Sequence, residues 1–506
     1  MKLSRYTLKN ISSPNIVVPD EDIFELPEKV LQFGTGVLLR GLPDYFIDKA
    51  NRQGVFNGRV VVVKSTSQGD SSSFEKQDGL FTQCIRGVEN GKIVEETIIN
   101  SSISRVLSAQ SEWEQILECA HNRNMEIIIS NTTEVGIQLV NDDIRHHPPK
   151  SYPGKLLAFL HERFSAFGGS AQSGMVIIPT ELIPDNGSKL QAIVLELAHL
   201  NGLGEDFIEW LETCNHFCNS LVDRIVPGKP DASVQTQIEN EFGYKDDLMI
   251  MSEVYSLWAI EGNEHVKNVL IFAQVDNGVV IDSNIDIYRE LKLRLLNGTH
   301  TLSCGLAFLA GFKTVKEAMD DESMSHYISD LMQHEIASSI PYKVELSVAQ
   351  EFGQKVLDRF RNTSLKHQWI SITMNYSSKL KMRCIPVLIT HYQKSDAVPE
   401  LMALGFAAYI YFMKPVSRID GKFYGELDGA VYEINDDMAE KFYQRWNGLS
   451  TAAMVQDVLR DNGFWGEDLH ALPGFKEAVT DRLNMMLHVG IKEAICQTQT
   501  KKFIAA

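Results

Sequence analysis

Along the first half of the chain, apolar positions gather in short continuous runs. KVLQF (29–33), RVVVV (59–63), MEIIIS (125–130), GMVIIP (174–179) and NVLIF (268–272) are each of strand length. Unbroken apolar strands mark a sheet buried on both faces. Between several of these runs the period lengthens to that of a helix, as in SEWEQILECAHN (111–122). This βαβ rhythm predicts a doubly wound α/β domain. From about residue 285 the pattern changes. Amphipathic stretches at 288–311, 315–336, 344–360 and 470–497 dominate, and one strand signal is left at KFYGELDGAVYEI (422–434). The expected organisation is an α/β domain over 1–285 and a mostly α-helical domain over 286–506, with no low-complexity linker and no internal repeat.

Composition narrows the choice of partners. Of 506 residues, 44% are apolar, and the formal net charge is 48 − 66 = −18. An acidic surface argues against nucleic acid and anionic membranes, and an anionic substrate would have to be met by a local basic cluster. No uninterrupted apolar stretch reaches about 18 residues, so no membrane span is expected. No apolar run follows a basic start, so no secretory signal is expected. The seven cysteines are scattered, which fits a reduced, cytoplasmic chain. Cys214 and Cys218 read as helical core thiols, because no second Cys/His pair at zinc spacing follows. Nothing in the pattern fixes the number of subunits.

The first candidate site is VLQFGTGVLLRG, which follows the first strand and opens a helix. Gly34 permits a tight turn, Gly36 lets the backbone approach a pyrophosphate, and the helix N-terminus offers free N–H groups. A third glycine belongs at 39, where Leu39 stands instead. After the first strand of a βαβ chain, this is a Rossmann-like dinucleotide turn, with Phe33, Gly34, Thr35, Gly36 and Leu38 as candidate contacts. An acid is expected at the end of the second strand to bind a ribose hydroxyl, but VVVVKSTS places Lys64 there. A lysine suits a 2′-phosphate or a solvated strand end equally, so these residues leave NAD against NADP open. In NTTE, after the third run quoted, Asn131, Thr132 and Glu134 fall near the expected nicotinamide ribose.

The second candidate is LKLRLLNGTH (291–300), where a turn-forming Asn-Gly sits inside a helical pattern. At about 100° per residue, Lys292, His300 and Asn297 project at about 0°, 80° and 140°, one arc of a helix. That face would offer a proton donor, an imidazole and an amide. Carbonyl reduction needs them, since negative charge grows on oxygen and an acid must supply a proton. TELIPDNG (180–187) puts Asn186 at the carboxyl edge of the sheet, and NSLVDRIVPG (219–228) suggests that Asp223 and Arg224 form a buried pair or a tie between domains.

Taken together, these motifs resemble the polyol-specific long-chain dehydrogenases, the mannitol dehydrogenase family. K-x-x-x-x-N-x-x-H is matched by Lys292, Asn297 and His300, N-S-x-V-D-R-I by Asn219 to Ile225, and an Asn-Gly loop by Asn186. The resemblance runs from QFGTGVLLRG through RFRNTSLKHQWISITMNYSSKLKMRCIP. SNTTEVGI, SYPGKLLAFLHERF and LLNGTHT carry a closer likeness to its hexuronate-reducing branch. The resemblance implies a metal-independent, NAD-dependent interconversion of D-tagaturonate and D-altronate. Its alternatives are fructuronate reduction, mannitol or polyol oxidation, and a non-catalytic dinucleotide sensor. It implies Lys292 as general acid/base, Asn186 and Asn297 as an oxyanion pocket, and His300 as the group that orients the substrate. The sequence shows no H-E-x-x-H and no Cys/His cluster, so no metal ligand is assigned.

A sugar acid carries a carboxylate that a polyol lacks. SSKLKMRCIP (377–386) offers Lys379 and Arg383, four apart on one helix face, with Lys381 pointing the other way. Lys379 follows the family's S-x-K pattern for substrate binding. A Lys/Arg pair facing the substrate would hold its carboxylate.

Overall fold

The computed structural model describes residues 1–65, 71–132 and 135–505. Six strands form the central sheet: β1 (Glu28–Phe33), β2 (Arg59–Lys64), β3 (Ile103–Ser108), β4 (Ile127–Ser130), β5 (Val176–Pro179) and β6 (His216–Phe217). Their spatial order is β3-β2-β1-β4-β5-β6, and every neighbouring pair is parallel. The order reverses between β1 and β4, the switch point at whose carboxyl edge open α/β sheets bind ligands. Val30, Val60, Val62, Ile127 and Ile129 face one apolar layer, and Leu31, Phe33, Val61, Val63 and Ile128 face the other. Burial on both faces is why these strands read as unbroken apolar runs.

NVLIF, expected as a strand, is helical. A short helix Glu264–Val269 leads into a 3₁₀ turn Ile271–Val275. Asn263 caps it by accepting the Val266 N–H at 3.1 Å, and Phe272 stacks on Trp258 and meets the edge of Phe56. Such a run is buried in either conformation, and the capping asparagine decides for helix. The converse case is β3, an outer strand whose apolar run is interrupted by Ser104 and Arg105. Arg105 pairs with Glu28 of β1 at 2.9 Å and 3.0 Å. Two helices flank the switch point: α1 (Val37–Gly41) after β1, and α2 (Asn186–Leu200) after β5.

The chain divides into two compact units. Met1–Arg86 with Ile93–Ile285 forms one, and Gly87–Lys92 with Asp286–Ala506 forms the other. The second unit is mostly helical, with one antiparallel sheet of Ser417–Ile419, Lys422–Leu427 and Ala430–Ile434. Of its long amphipathic stretches, 344–360 forms one helix, Leu346–Phe360, and the others are subdivided. The stretch at 470–497 becomes two helices that meet at Gly490, whose φ is 92°. The stretch at 288–311 becomes α3 (Asp286–Leu291), a π-helical segment Lys292–Gly298 and α4 (Thr299–Leu309). Among the described residues no helix is long and apolar enough to cross a membrane.

Candidate active site

The glycine turn of the first unit is built at the switch point. Gly34 has φ +130°, and a Cβ there would lie 2.9 Å from Leu39 Cδ1 and 3.1 Å from the Asn131 carbonyl oxygen. Leu39, standing where the third glycine was looked for, is buried and closes the turn from beneath. Gly36 is exposed, caps α1, and among the described residues no atom lies within 4 Å of the place a Cβ would take. A phosphate-sized group can therefore approach the backbone there. Arg224 braces the far end of α1: it donates to the Gly41 carbonyl at 2.7 Å and to the Glu253 carbonyl at 2.9 Å, with its guanidinium 4.3 Å over the Tyr45 ring. Its bonds are to main chain of the first unit rather than to Asp223.

The side chains expected at the cofactor divide into three groups. The Phe33 ring is fully buried against Tyr152, 5.1 Å between centroids, and belongs to the core. What it contributes is its carbonyl, which accepts the Asn131 N–H at 3.2 Å across the switch point. Thr35, Leu38 and Lys64 are half-buried around the same edge. Asn131 and Thr132 are tied down. The Asn131 amide donates to Thr180, and Thr132 donates through its N–H and hydroxyl to one oxygen of Glu181 at 2.8 Å and 2.9 Å. The other Glu181 oxygen accepts from Ser130 at 3.2 Å. Glu181 is thus a buried hub joining the ends of β4 and β5. No periodicity or spacing in TELIPDNG marks it. Glu134 lies outside the described residues.

Asn186 is placed at the carboxyl edge of the sheet but is otherwise engaged. It is 1% exposed, and its amide donates to the carbonyls of Pro179, Glu181 and Ser220 at 3.0–3.1 Å. Its oxygen accepts the N–H groups of Gly187 and Ser220. An amide has two N–H donors, and here both are met by main chain. Asn186 therefore stitches the start of α2 to the strand at Ser220, with its N–H donors turned to main-chain carbonyls in this arrangement. Gly187 completes the stitch, since a Cβ there would fall 2.4 Å from the Cys218 backbone.

In the second unit the π segment resolves the Asn-Gly puzzle. In an α-helix Lys292 and Asn297 would lie about 140° apart. An i→i+5 ladder widens the turn and narrows that angle, so the K-x-x-x-x-N spacing brings the two nearer to one side of Lys292–Gly298, where both are half-buried. Arg294 holds the segment in place. It is buried, donates to the Met382 and Arg383 carbonyls at 2.7 Å and 3.0 Å, and pairs with Glu290 at 2.9 Å. Gly298 is helical, and a Cβ there would meet only the Leu293 and Arg383 carbonyl oxygens at 3.6 Å and 3.8 Å. The protein's own packing thus does not demand glycine at 298, although glycine costs about 1 kcal/mol relative to alanine in a helix.

His300, in the first turn of α4, is 7% exposed. It stacks on Phe360 with centroids 4.2 Å apart and meets the edges of His367 at 5.1 Å and Trp369 at 5.8 Å. Burial, then the nearby charges of His367, Arg359 and Arg383, hold its pKa well below the ordinary histidine value. It is a neutral imidazole at neutral pH, suited to a hydrogen bond and not to donating the reaction's proton. Its Nε2 has no hydrogen-bond partner among the described residues.

Lys379 and Arg383 lie on α5 (Tyr376–Arg383). Lys379 donates to the Ile372 carbonyl at 3.0 Å, and burial followed by the Arg383 charge lowers its pKa. Arg383 donates to the Thr301 hydroxyl at 3.1 Å, and that hydroxyl donates to the Asn297 carbonyl at 2.7 Å. Lys381 is exposed and its ammonium lies over the Phe464 ring. Lys292, Asn297, His300, Lys379 and Arg383 all belong to the second unit, while Asn186 and the glycine turn belong to the first. Among the described residues no group of three or more His, Cys, Asp or Glu side chains has the arrangement of a metal site.

Comparison with known proteins follows the same division. Residues 28–272 match the mannitol dehydrogenase Rossmann domain, and residues 284–487 match the mannitol dehydrogenase C-terminal domain. The altronate oxidoreductase of Bacillus subtilis (strain 168) is 36% identical over 476 residues, 94% of this chain and 95% of that protein. The altronate oxidoreductase of Shigella flexneri is 36% identical over 480 residues, 93% and 97% of the two chains. Among solved structures, Pseudomonas fluorescens mannitol 2-dehydrogenase in ternary complex with NAD and D-mannitol has a TM-score of 0.63 at 21% identity, covering 99% of this chain and 100% of that one. A substrate-free D-sorbitol dehydrogenase has a TM-score of 0.73 at 19% identity, covering 97% and 100%. At those identities the two structures establish a shared fold.

Proposed function

Because the chain belongs to the mannitol dehydrogenase family, we propose that it is an NAD-dependent oxidoreductase that reduces D-tagaturonate to D-altronate and catalyses the reverse. The relatives named altronate oxidoreductase, matched over nearly their whole length, support the sugar acid. The sheet order and the open approach to Gly36 suit a dinucleotide. The observation that carries the reading is the π segment, which sets an ammonium and an amide five residues apart on one side.

A bound nicotinamide supplies the hydride that adds to the substrate's keto carbon. The remaining work belongs to the chain. Lys292 Nζ gives a proton to the carbonyl oxygen as charge grows there, and takes it back from the hydroxyl in oxidation. The Asn297 amide donates to the same oxygen and stabilises the alkoxide-like transition state. His300, neutral and held among aromatic rings, orients the substrate through Nε2. Asn186 fixes the position of the β5 edge.

Purified protein assayed for NADH oxidation with tagaturonate, fructuronate and fructose in parallel, repeated with NADPH, tests this reading. The expected result is preferred turnover of tagaturonate with NADH. Comparable turnover of fructose, or of mannitol in the oxidative direction, would remove the uronate assignment. Preference for fructuronate would move the chain to that neighbouring activity. A dinucleotide sensor would turn over none of the four.

A further inference from the structure

Resting on that reading, we propose that the second unit selects an anionic substrate through a basic pocket in which His367 joins His300, Lys379 and Arg383, and that this pocket receives the substrate's terminal carboxylate. His367 lies in the polar stretch RNTSLKHQ (361–368), where no periodicity marks it. The fold anchors it: its carbonyl accepts the Val315 N–H at 2.9 Å, and the next-but-one residue, Trp369, donates its N–H to the Lys313 carbonyl at 3.0 Å. This brings the imidazole edge-on to His300, 5.1 Å between ring centres, while leaving His367 exposed at the mouth. Arg383 reaches the residue beside His300 through its bond to Thr301.

Three observations give this cluster a ligand's shape. The chain is strongly acidic, at −18 overall, yet among the described residues no carboxylate pairs with Lys379, Arg383, His300 or His367. The charges bearing on the two histidines are all basic: Arg359 and Arg383 on His300, Arg359 and Lys379 on His367. Two buried nitrogens inside the cluster, His300 Nε2 and Arg383 Nε, have no hydrogen-bond partner among the described residues. Placing the Lys379 and Arg383 charges together without a paired carboxylate costs free energy unless an anion offsets it. The relay Arg383–Thr301–Asn297 then links the anion end of the substrate to the segment that carries Lys292. A neutral polyol would leave these groups unmatched, and that is how a pocket rejects an analogue lacking the expected group.

A phosphate ester shares this anionic chemistry, so the test compares three substrates in wild type and in His367→Glu and His367→Gln: tagaturonate, fructose and fructose 6-phosphate. His367 is exposed, so both variants are expected to fold. His367→Glu adds a negative charge to the pocket and should lower the ratio of kcat/KM for tagaturonate over fructose by about tenfold or more, chiefly through KM for tagaturonate. His367→Gln should fall between. An unchanged ratio in His367→Glu would overturn the pocket assignment, and so would an equal loss on tagaturonate and fructose. Wild-type preference for fructose 6-phosphate would overturn the carboxylate. Absence of any wild-type turnover of tagaturonate would instead overturn the underlying function, so the two failures are distinguishable.

Discussion

Lys292→Ala is expected to lower turnover of tagaturonate by at least about 10²-fold, the low end for removal of a general acid, while binding of NADH is unchanged. The reasoning is chemical before it is structural. Hydride addition leaves a full negative charge on oxygen unless a proton arrives with it, and His300 is held neutral by burial and basic neighbours. Lys292 is half-buried on a segment pinned by Arg294 to the main chain of α5, so its position does not depend on a mobile loop. NADH binding, read by fluorescence titration, separates a lost proton donor from a lost fold. Turnover within threefold of wild type would refute the assignment.

Asn297→Asp should cost as much or more. The substitution keeps size and shape, so Arg294 and Thr301 hold the segment as before, and the Thr301 bond to the residue 297 carbonyl is untouched. What changes is a donor into an acceptor carrying negative charge, at the position where the proposed mechanism puts the alkoxide. Loss of one preorganised oxyanion donor lowers kcat by roughly 10²–10³-fold, and the added repulsion works in the same direction. The loss should appear in kcat more than in KM, since the contact strengthens only in the transition state. A change confined to KM would make Asn297 a substrate-binding group only.

How far the sequence reveals this molecule varies from element to element. β1, β2, β4 and β5 are legible because burial on both faces leaves no polar residue to interrupt them. The outer strand β3 is masked by Ser104 and Arg105, and NVLIF misleads because burial alone does not distinguish strand from helix. In the site, the residue types of K-x-x-x-x-N-x-x-H are visible, but a 3.6-residue projection spreads them across an arc. The i→i+5 segment that gathers Lys292 and Asn297 has no period in the sequence to announce it, because it is stabilised by Arg294 reaching distant carbonyls. Asn186 was legible as a motif, yet its bonds to Pro179, Glu181 and Ser220 give it a bracing role. Glu181 and His367 went unseen for a common reason: each gains its importance from partners about 50 or more residues away.

A crystal structure of the protein with NAD and D-altronate tests the central claim most directly. The account expects Lys292 Nζ within hydrogen-bonding reach, about 2.6–3.2 Å, of the hydroxyl oxygen that is oxidised, with the Asn297 amide on the same oxygen. A complex in which the Lys292 side chain turns to bulk solvent, with another group protonating that oxygen, would contradict it.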